Sequence, residues 1–127
     1  MALDPAMPIL IVDDYRMMVR IMRGLLKQFG FEDVDDAPSG VDAIQSLRRR
    51  KYGLVISNWG MEPMTGYDLL RHVRGEAALR DTPFILVTAE LRAENMTAAQ
   101  KAGANDCIVK PFSAQTLKAT IETACGA

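Results

Sequence analysis

Several kinds of chemistry are excluded by what this chain has little of. It holds one histidine, His72, and two cysteines, Cys107 and Cys125, among 127 residues. Two cysteines 18 positions apart offer neither a disulfide framework nor metal-ligand spacing, and they read as reduced, small hydrophobes. No Ser/His/Asp set and no glycine-rich nucleotide loop is present. No apolar run approaches the roughly 18 residues of a membrane span, and Met1-Ala2-Leu3-Asp4-Pro5-Ala6 lacks the basic region and apolar core of a secretory signal. A cytoplasmic protein is expected. The charge of one sign that marks a nucleic-acid binder is also missing, since 15 basic residues meet 16 acidic ones. Output through protein contacts is expected instead, with no nucleic acid and no membrane as partner.

What is present is a repeated pattern of short strand-forming runs, each followed by a helical period. With 49% apolar residues the chain suffices for one core and one domain, here placed at 8–127 behind a flexible leader at 1–7. Ile9-Leu10-Ile11-Val12 ends in Asp13-Asp14. Leu54-Val55-Ile56-Ser57 ends in Asn58, Phe84-Ile85-Leu86-Val87 in Thr88, and Cys107-Ile108-Val109 in Lys110. A weaker, acidic run at 33–37 suits an edge strand. Five alternations of strand and helix imply a parallel sheet covered on both faces. In open sheets of this kind ligands bind beyond the carboxyl ends of the strands, so the polar residues that terminate the runs belong to one site.

The helical stretches carry their own expectations. Residues 15–29 place Met18, Ile21, Met22, Leu25, Leu26 and Phe29 on one face, with Gly30 as C-terminal cap. Arg16, Arg20, Arg23 and Lys27 line the opposite face as a solvated surface, or as a docking stripe for an acidic partner. Ser39 with Asp42 opens the next helix, which turns Val41, Ile44 and Leu47 inward and runs into Arg48-Arg49-Arg50-Lys51. That cluster complements the helix dipole, and an anionic ligand ranks below this. His72 is expected as a surface residue with no sequence-adjacent partner. The alanine-rich stretch 92–102 has the thinnest apolar face and should move most easily. Ser113 caps the last helix, which buries Leu117, Ile121 and Ala124.

The landmarks Asp13-Asp14, the strand into Asn58-Trp59 with Met61 and Gly66 behind it, Val87-Thr88-Ala89-Glu90, Ala102-Gly103-Ala104 and Val109-Lys110-Pro111-Phe112 resemble the receiver domain of two-component response regulators. The likeness is to the single-domain chemotaxis (CheY-like) type and spans about Pro8 to Cys125. It implies a flavodoxin-like, doubly wound, five-stranded parallel sheet of order 2-1-3-4-5 with five helices. It also implies that Asp14 binds Mg²⁺ directly, that Asp13 does so mainly through water, and that the Gly60 carbonyl adds an oxygen. Lys110 would hold a phosphoryl oxygen, Thr88 would donate its hydroxyl to the same group, Ala89 would leave room for it, and a cis bond before Pro111 would aim Lys110 inward. The implied partners are a histidine kinase or phosphotransfer protein and a downstream protein target, met by a monomer through residues 92–102, 106–109 and the last helix. Chemotaxis is one candidate pathway, and no catalysis beyond self-phosphorylation is expected.

The pattern is broken at its centre. Asn58 stands where the family carries its phosphoryl-accepting aspartate, and an amide cannot form an acyl phosphate. Asn58 remains a neutral metal ligand, with Mg²⁺ expected to bind more weakly to two carboxylates than to three. Two accounts compete: a near-isosteric replacement that traps the unphosphorylated state, and a natural pseudo-receiver acting as a phosphorylation-independent interaction module. The first is favoured because Asp13, Asp14, Thr88 and Lys110 make sense around a nucleophile and a metal. Cys107 replaces the switch aromatic three residues before the lysine, and Glu62 intervenes between the loop methionine and Pro63. Other uses of the fold fit less well. A flavodoxin needs a Ser/Thr/Gly phosphate loop where Asp13-Asp14-Tyr15 would repel phosphate, and a haloacid-dehalogenase-type phosphatase needs acidic residues two apart. Sensing of an anionic second messenger by the arginines rests on charge alone.

Overall fold

The computed structural model describes residues 4–90 and 92–126. Residues 1–3 of the expected leader and Ala127 lie outside the described residues. Asp4 to Met7 form a turn closed by a Met7 N–H to Asp4 C=O bond of 3.0 Å, and Met7 packs against the core. The packed region therefore begins just before Pro8.

Among the described residues five strands and five α-helices alternate along the chain. They are β1 (Ile9–Val12), α1 (Arg16–Gln28), β2 (Val34–Ala37), α2 (Gly40–Arg49), β3 (Leu54–Asn58), α3 (Gly66–Gly75), β4 (Phe84–Thr88), α4 (Ala93–Ala102), β5 (Asp106–Val109) and α5 (Ala114–Ile121). All strand pairs are parallel, in the order β2-β1-β3-β4-β5. The sheet order and helix count match the fold that the resemblance implies. β1, β3 and β4 are near-continuous apolar runs because both of their faces are covered. Their alternating side chains supply two cores. Leu10, Val12, Val55, Phe84 and Leu86 pack beneath α2, α3 and Ala99 of α4. Ile9, Ile11, Leu54, Ile56, Ile85 and Val87 pack beneath α1 and α5.

The register carries the functional consequence. Val12 pairs with Ser57, Asn58 with Val87, and Thr88 with Val109, so four strands stop at one rim.

Two expected helix faces are turned. In α1 the buried residues are Val19, Met22 and Leu26, whereas Ile21 is 49% exposed. Val19 and the residues three and seven positions on form a narrower stripe than expected, and Met18 and Leu25 flank it half-buried. In α2 Val41 is exposed and Ala43 takes the inward place beside Ile44 and Leu47. The final helix continues past Ile121 as a π turn over Glu122–Gly126. Thr120 and Thr123 hydroxyls donate to carbonyls four residues back, a contact that competes with the regular ladder.

Two basic residues of α1, and Arg50 just after α2, are spent on the acidic edge strand and the Asp33 before it. Arg16 and Arg23 both reach Asp36, at 2.9 and 2.5 Å, and Arg23 also donates to the Val34 carbonyl. Arg50 pairs with Asp33 and with Asp35, which also accepts from the Tyr52 hydroxyl at 2.5 Å. Two of the four residues of the expected docking stripe are thus engaged in ion pairs within the chain. Burial pushes the Asp36 carboxyl up, but the guanidinium groups of Arg23 and Arg16 outweigh it and hold the group below its ordinary value of 3.8. A depressed carboxylate stabilises the fold above the unfolded pKa and loses that contribution as pH falls through the folded one. Asp36→Asn should therefore cost about 1 kcal/mol near neutrality, the upper end for half-exposed pairs. Urea denaturation across pH should show the two proteins converging below the ordinary 3.8; a constant gap would overturn this.

Candidate functional site

The rim where β1, β3, β4 and β5 end gathers Asp13, Asn58, Thr88 and Lys110, with Asp14 exposed beside them. Asp13 is 4% exposed, and one of its carboxylate oxygens accepts the Tyr15 N–H at 3.0 Å. Burial raises the Asp13 pKa. The Tyr15 amide and the charge of Lys110 oppose that rise, and Asp14 adds to it. The two adjacent acids therefore sit in different surroundings, one desolvated and one open to solvent.

Asn58 is half-buried at the last position of β3. Its amide Nδ2 donates to the Gly60 carbonyl at 3.3 Å. A carbonyl can only accept, so the contact fixes which end of the amide faces it. The loop that follows is held at both ends. Trp59 N–H donates to the Val87 carbonyl at 2.8 Å, and the Trp59 carbonyl receives the N–H groups of Met61 and Gly66. Met61 is buried, and α3 then starts on a reciprocal capping box between Thr65 and Asp68. The bonds before Pro63 and Pro111 are both cis, the second as expected.

Thr88 is buried, and its hydroxyl donates to the Glu90 carbonyl at 3.0 Å and accepts the Glu90 N–H at 3.3 Å. Lys110 is half-buried, with its backbone N–H on the Thr88 carbonyl. Its side chain also lines an apolar groove of about 380 Å³ with Met18, Ile21, Leu25, Pro111 and Phe112.

The oxygen donors at hand are the carboxylates of Asp13 and Asp14, the Gly60 carbonyl and the Asn58 amide oxygen. That all-oxygen set fits Mg²⁺ by donor chemistry. It carries two formal charges, and no three His, Cys, Asp or Glu side chains converge among the described residues. Asn58 must also turn its amide over to offer oxygen, which breaks its bond to Gly60.

Some neighbours were not anticipated from the sequence. Trp59 stacks on Tyr67 with centroids 5.5 Å apart, and Arg71 lies over the far ring at 6.0 Å. His72 does have a partner: Nε2 meets Glu76 at 3.2 Å one helical turn on, and Arg48 grips the same carboxylate. The i,i+4 spacing in Gly66–Gly75 and the residue after it would have revealed that pair. Among the described residues no helix is long and apolar enough to cross a membrane.

The response regulator receiver domain family matches residues 9–122. Chemotaxis protein CheY-3 of Vibrio cholerae is 39% identical over 120 residues, covering 94% of this chain and 92% of that protein. Chemotaxis protein CheY of Pseudomonas aeruginosa is 42% identical over 116 residues, covering 91% and 94%. Among solved structures, CheY4 of Vibrio cholerae superposes with a TM-score of 0.87 at 28% identity, covering 94% of this chain and 98% of that one.

Proposed function

The chain belongs to the response regulator receiver domain family, and from that premise we propose that it is a CheY-like signalling module whose phosphotransfer is silenced at one side chain, Asn58. The observation that carries this reading is the company Asn58 keeps. Asp13, Asp14, Thr88 and Lys110 stand at the same strand ends, which is the set needed around a carboxylate nucleophile, a divalent metal and a developing phosphoryl charge. The receiver domain of sensor histidine kinase PA1611 of Pseudomonas aeruginosa, a chain of the same fold, holds a magnesium ion in its active-site cleft. Here Asp13, Asp14 and the Gly60 carbonyl would hold it, with Asn58 as a neutral fourth oxygen and a weaker site as the result.

When bound, the ion screens the charge of an incoming phosphoryl group. The remaining tasks fall to the chain itself. Lys110 supplies a fixed cation, and Thr88 supplies a hydroxyl once it leaves Glu90. Ala89 is exposed and small, leaving the entrance clear. Asn58 cannot attack phosphorus, because its nitrogen lone pair is delocalised and its oxygen carries no full charge.

With an aspartate at position 58 the protein would receive its signal in the cytoplasm from a histidine kinase or phosphotransfer protein and pass it, as a monomer, to a protein target without enzymatic turnover of its own; Asn58 blocks that relay in this chain. A second reading has one observation in its favour. The Asn58 amide bridges to Gly60 as an aspartate could not, which suits a pseudo-receiver whose loop is held without metal.

Acetyl phosphate added after Mg²⁺, read by Trp59 fluorescence, tests the choice on this protein and on Asn58→Asp. A phosphate-dependent change in the aspartate variant alone is the expected result. Silence in both would favour the phosphorylation-independent interaction module.

A further inference from the structure

We propose that Arg74 is a positioning residue for α4, fixing the C-terminal end of that helix so that its N-terminal end is the part that moves. The inference does not depend on what happens at position 58.

The two ends of α4 are built differently. At the C-terminal end a single guanidinium reaches four acceptors. Arg74 Nε donates to the Gly103 carbonyl at 3.0 Å, Nη1 to the carbonyls of Arg80 and Thr82 at 2.9 and 2.6 Å, and Nη2 to Asn105 Oδ1 at 3.0 Å. Asn105 Oδ1 also takes the Phe84 N–H at 2.8 Å, and Asn105 N–H returns to the Phe84 carbonyl at 2.9 Å. One side chain of α3 thus joins the end of α4, the loop before β4 and the start of a fully buried strand. A planar fork does this with little further loss of freedom per bond. Gly103 completes the anchor: its φ of +99° closes the helix, and a Cβ there would lie 3.0 Å from Arg74 Nε.

Among the described residues the N-terminal end has no such fastening. Arg92, the residue that opens the helix, makes no side-chain cap bond, unlike Ser39, Thr65 and Ser113 on α2, α3 and α5. Arg92, Ala93 and Glu94 are exposed, the Arg92–Glu90 ion pair is more than half exposed at both partners, and Ala99, the buried residue of the helix, sits in its second half. A rod held at one end and packed by small residues swings about the held end. The swinging end is tied to the rim through Thr88, whose hydroxyl makes both of its contacts with Glu90, two residues before the helix opens.

Native-state hydrogen exchange resolved by residue tests the lever. In the unaltered protein, amides 96–98 should exchange at least tenfold faster than amides 102–105. Arg74→Met should speed 102–105 by tenfold or more while the β3 amides 55–57 change far less, erasing the gradient. Arg74→Lys, which keeps the charge and loses the fork, should resemble Arg74→Met. Gly103→Ala should loosen the same end with Arg74 still present. Uniform protection along α4, equal acceleration of α4 and β3, or full protection in Arg74→Lys would each overturn the proposal.

Discussion

Asn58→Asp is expected to destabilise the metal-free protein by about 2 to 3 kcal/mol and to make its stability depend on Mg²⁺. The new carboxylate would join Asp13, whose charge is already disfavoured by burial, and Asp14 beside it. Carboxylates about 5 Å apart repel by roughly 1 to 3 kcal/mol per pair at intermediate effective dielectric. The substitution also removes the amide donor that now holds the Gly60 carbonyl, a bond worth about 0.5 to 1.5 kcal/mol. Partial protonation of the cluster caps the sum, because Asp13 can take up a proton rather than bear the full repulsion. The melting temperature should fall by roughly 6 to 10 °C for a domain of this size. Mg²⁺ at about a hundred times its dissociation constant should return about 2.7 kcal/mol to the aspartate variant, and less to the unaltered protein at the same concentration. Thermal melts of both proteins with and without Mg²⁺ suffice. Superimposable curves in all four conditions would show that position 58 carries no charge coupling to Asp13 and Asp14.

The rim was legible because it depends on backbone periodicity and not on side-chain detail. Each of β1, β3, β4 and β5 is a short run rich in β-branched residues that leads into a polar one, and parallel pairing in register brings those termini to one edge whatever the packing behind them. Asp13, Asn58, Thr88 and Lys110 could therefore be grouped before any coordinates. The helix faces were harder. Nearly half of the residues are apolar, and α1 alone offers more large apolar side chains than its narrow contact with the sheet can cover, so Ile21 reads as core and is not. The charge networks were not readable either. Asp36 meets arginines 13 and 20 positions away, and Arg74 meets groups 29 and 31 positions away, distances at which sequence spacing carries no geometry. The Asn58 to Gly60 bond is local, yet its direction depends on the loop path and not on residue type.

Gly66→Ala and Gly75→Ala should act with opposite signs, though both exchange the same residues at the two ends of α3. At Gly66 an added Cβ would lie 2.3 Å from the Asn58 carbonyl oxygen and 3.0 Å from Leu86 Cδ2. Neither neighbour can yield cheaply. Asn58 is the last residue of β3, paired with Val87, and the next N–H is already bonded to the Val87 carbonyl. Leu86 is completely buried. The helix cannot back away without breaking the Thr65–Asp68 capping box or the Gly66 N–H bond to the Trp59 carbonyl. Overpacking against backbone costs about 3 kcal/mol or more, at the upper end of the range. At Gly75 nothing lies within 4 Å of the added carbon, so alanine should stabilise the helix by about 0.5 to 1 kcal/mol through lost unfolded-state freedom. Urea titration followed by Trp59 fluorescence reads both effects, and the folded baseline of Gly66→Ala should shift as well, because relief of the clash moves the carbonyl end of Asn58 next to the indole. If Gly66→Ala unfolds at the same midpoint as Gly75→Ala, the close approach of α3 to the end of β3 is not what holds Asn58 in place.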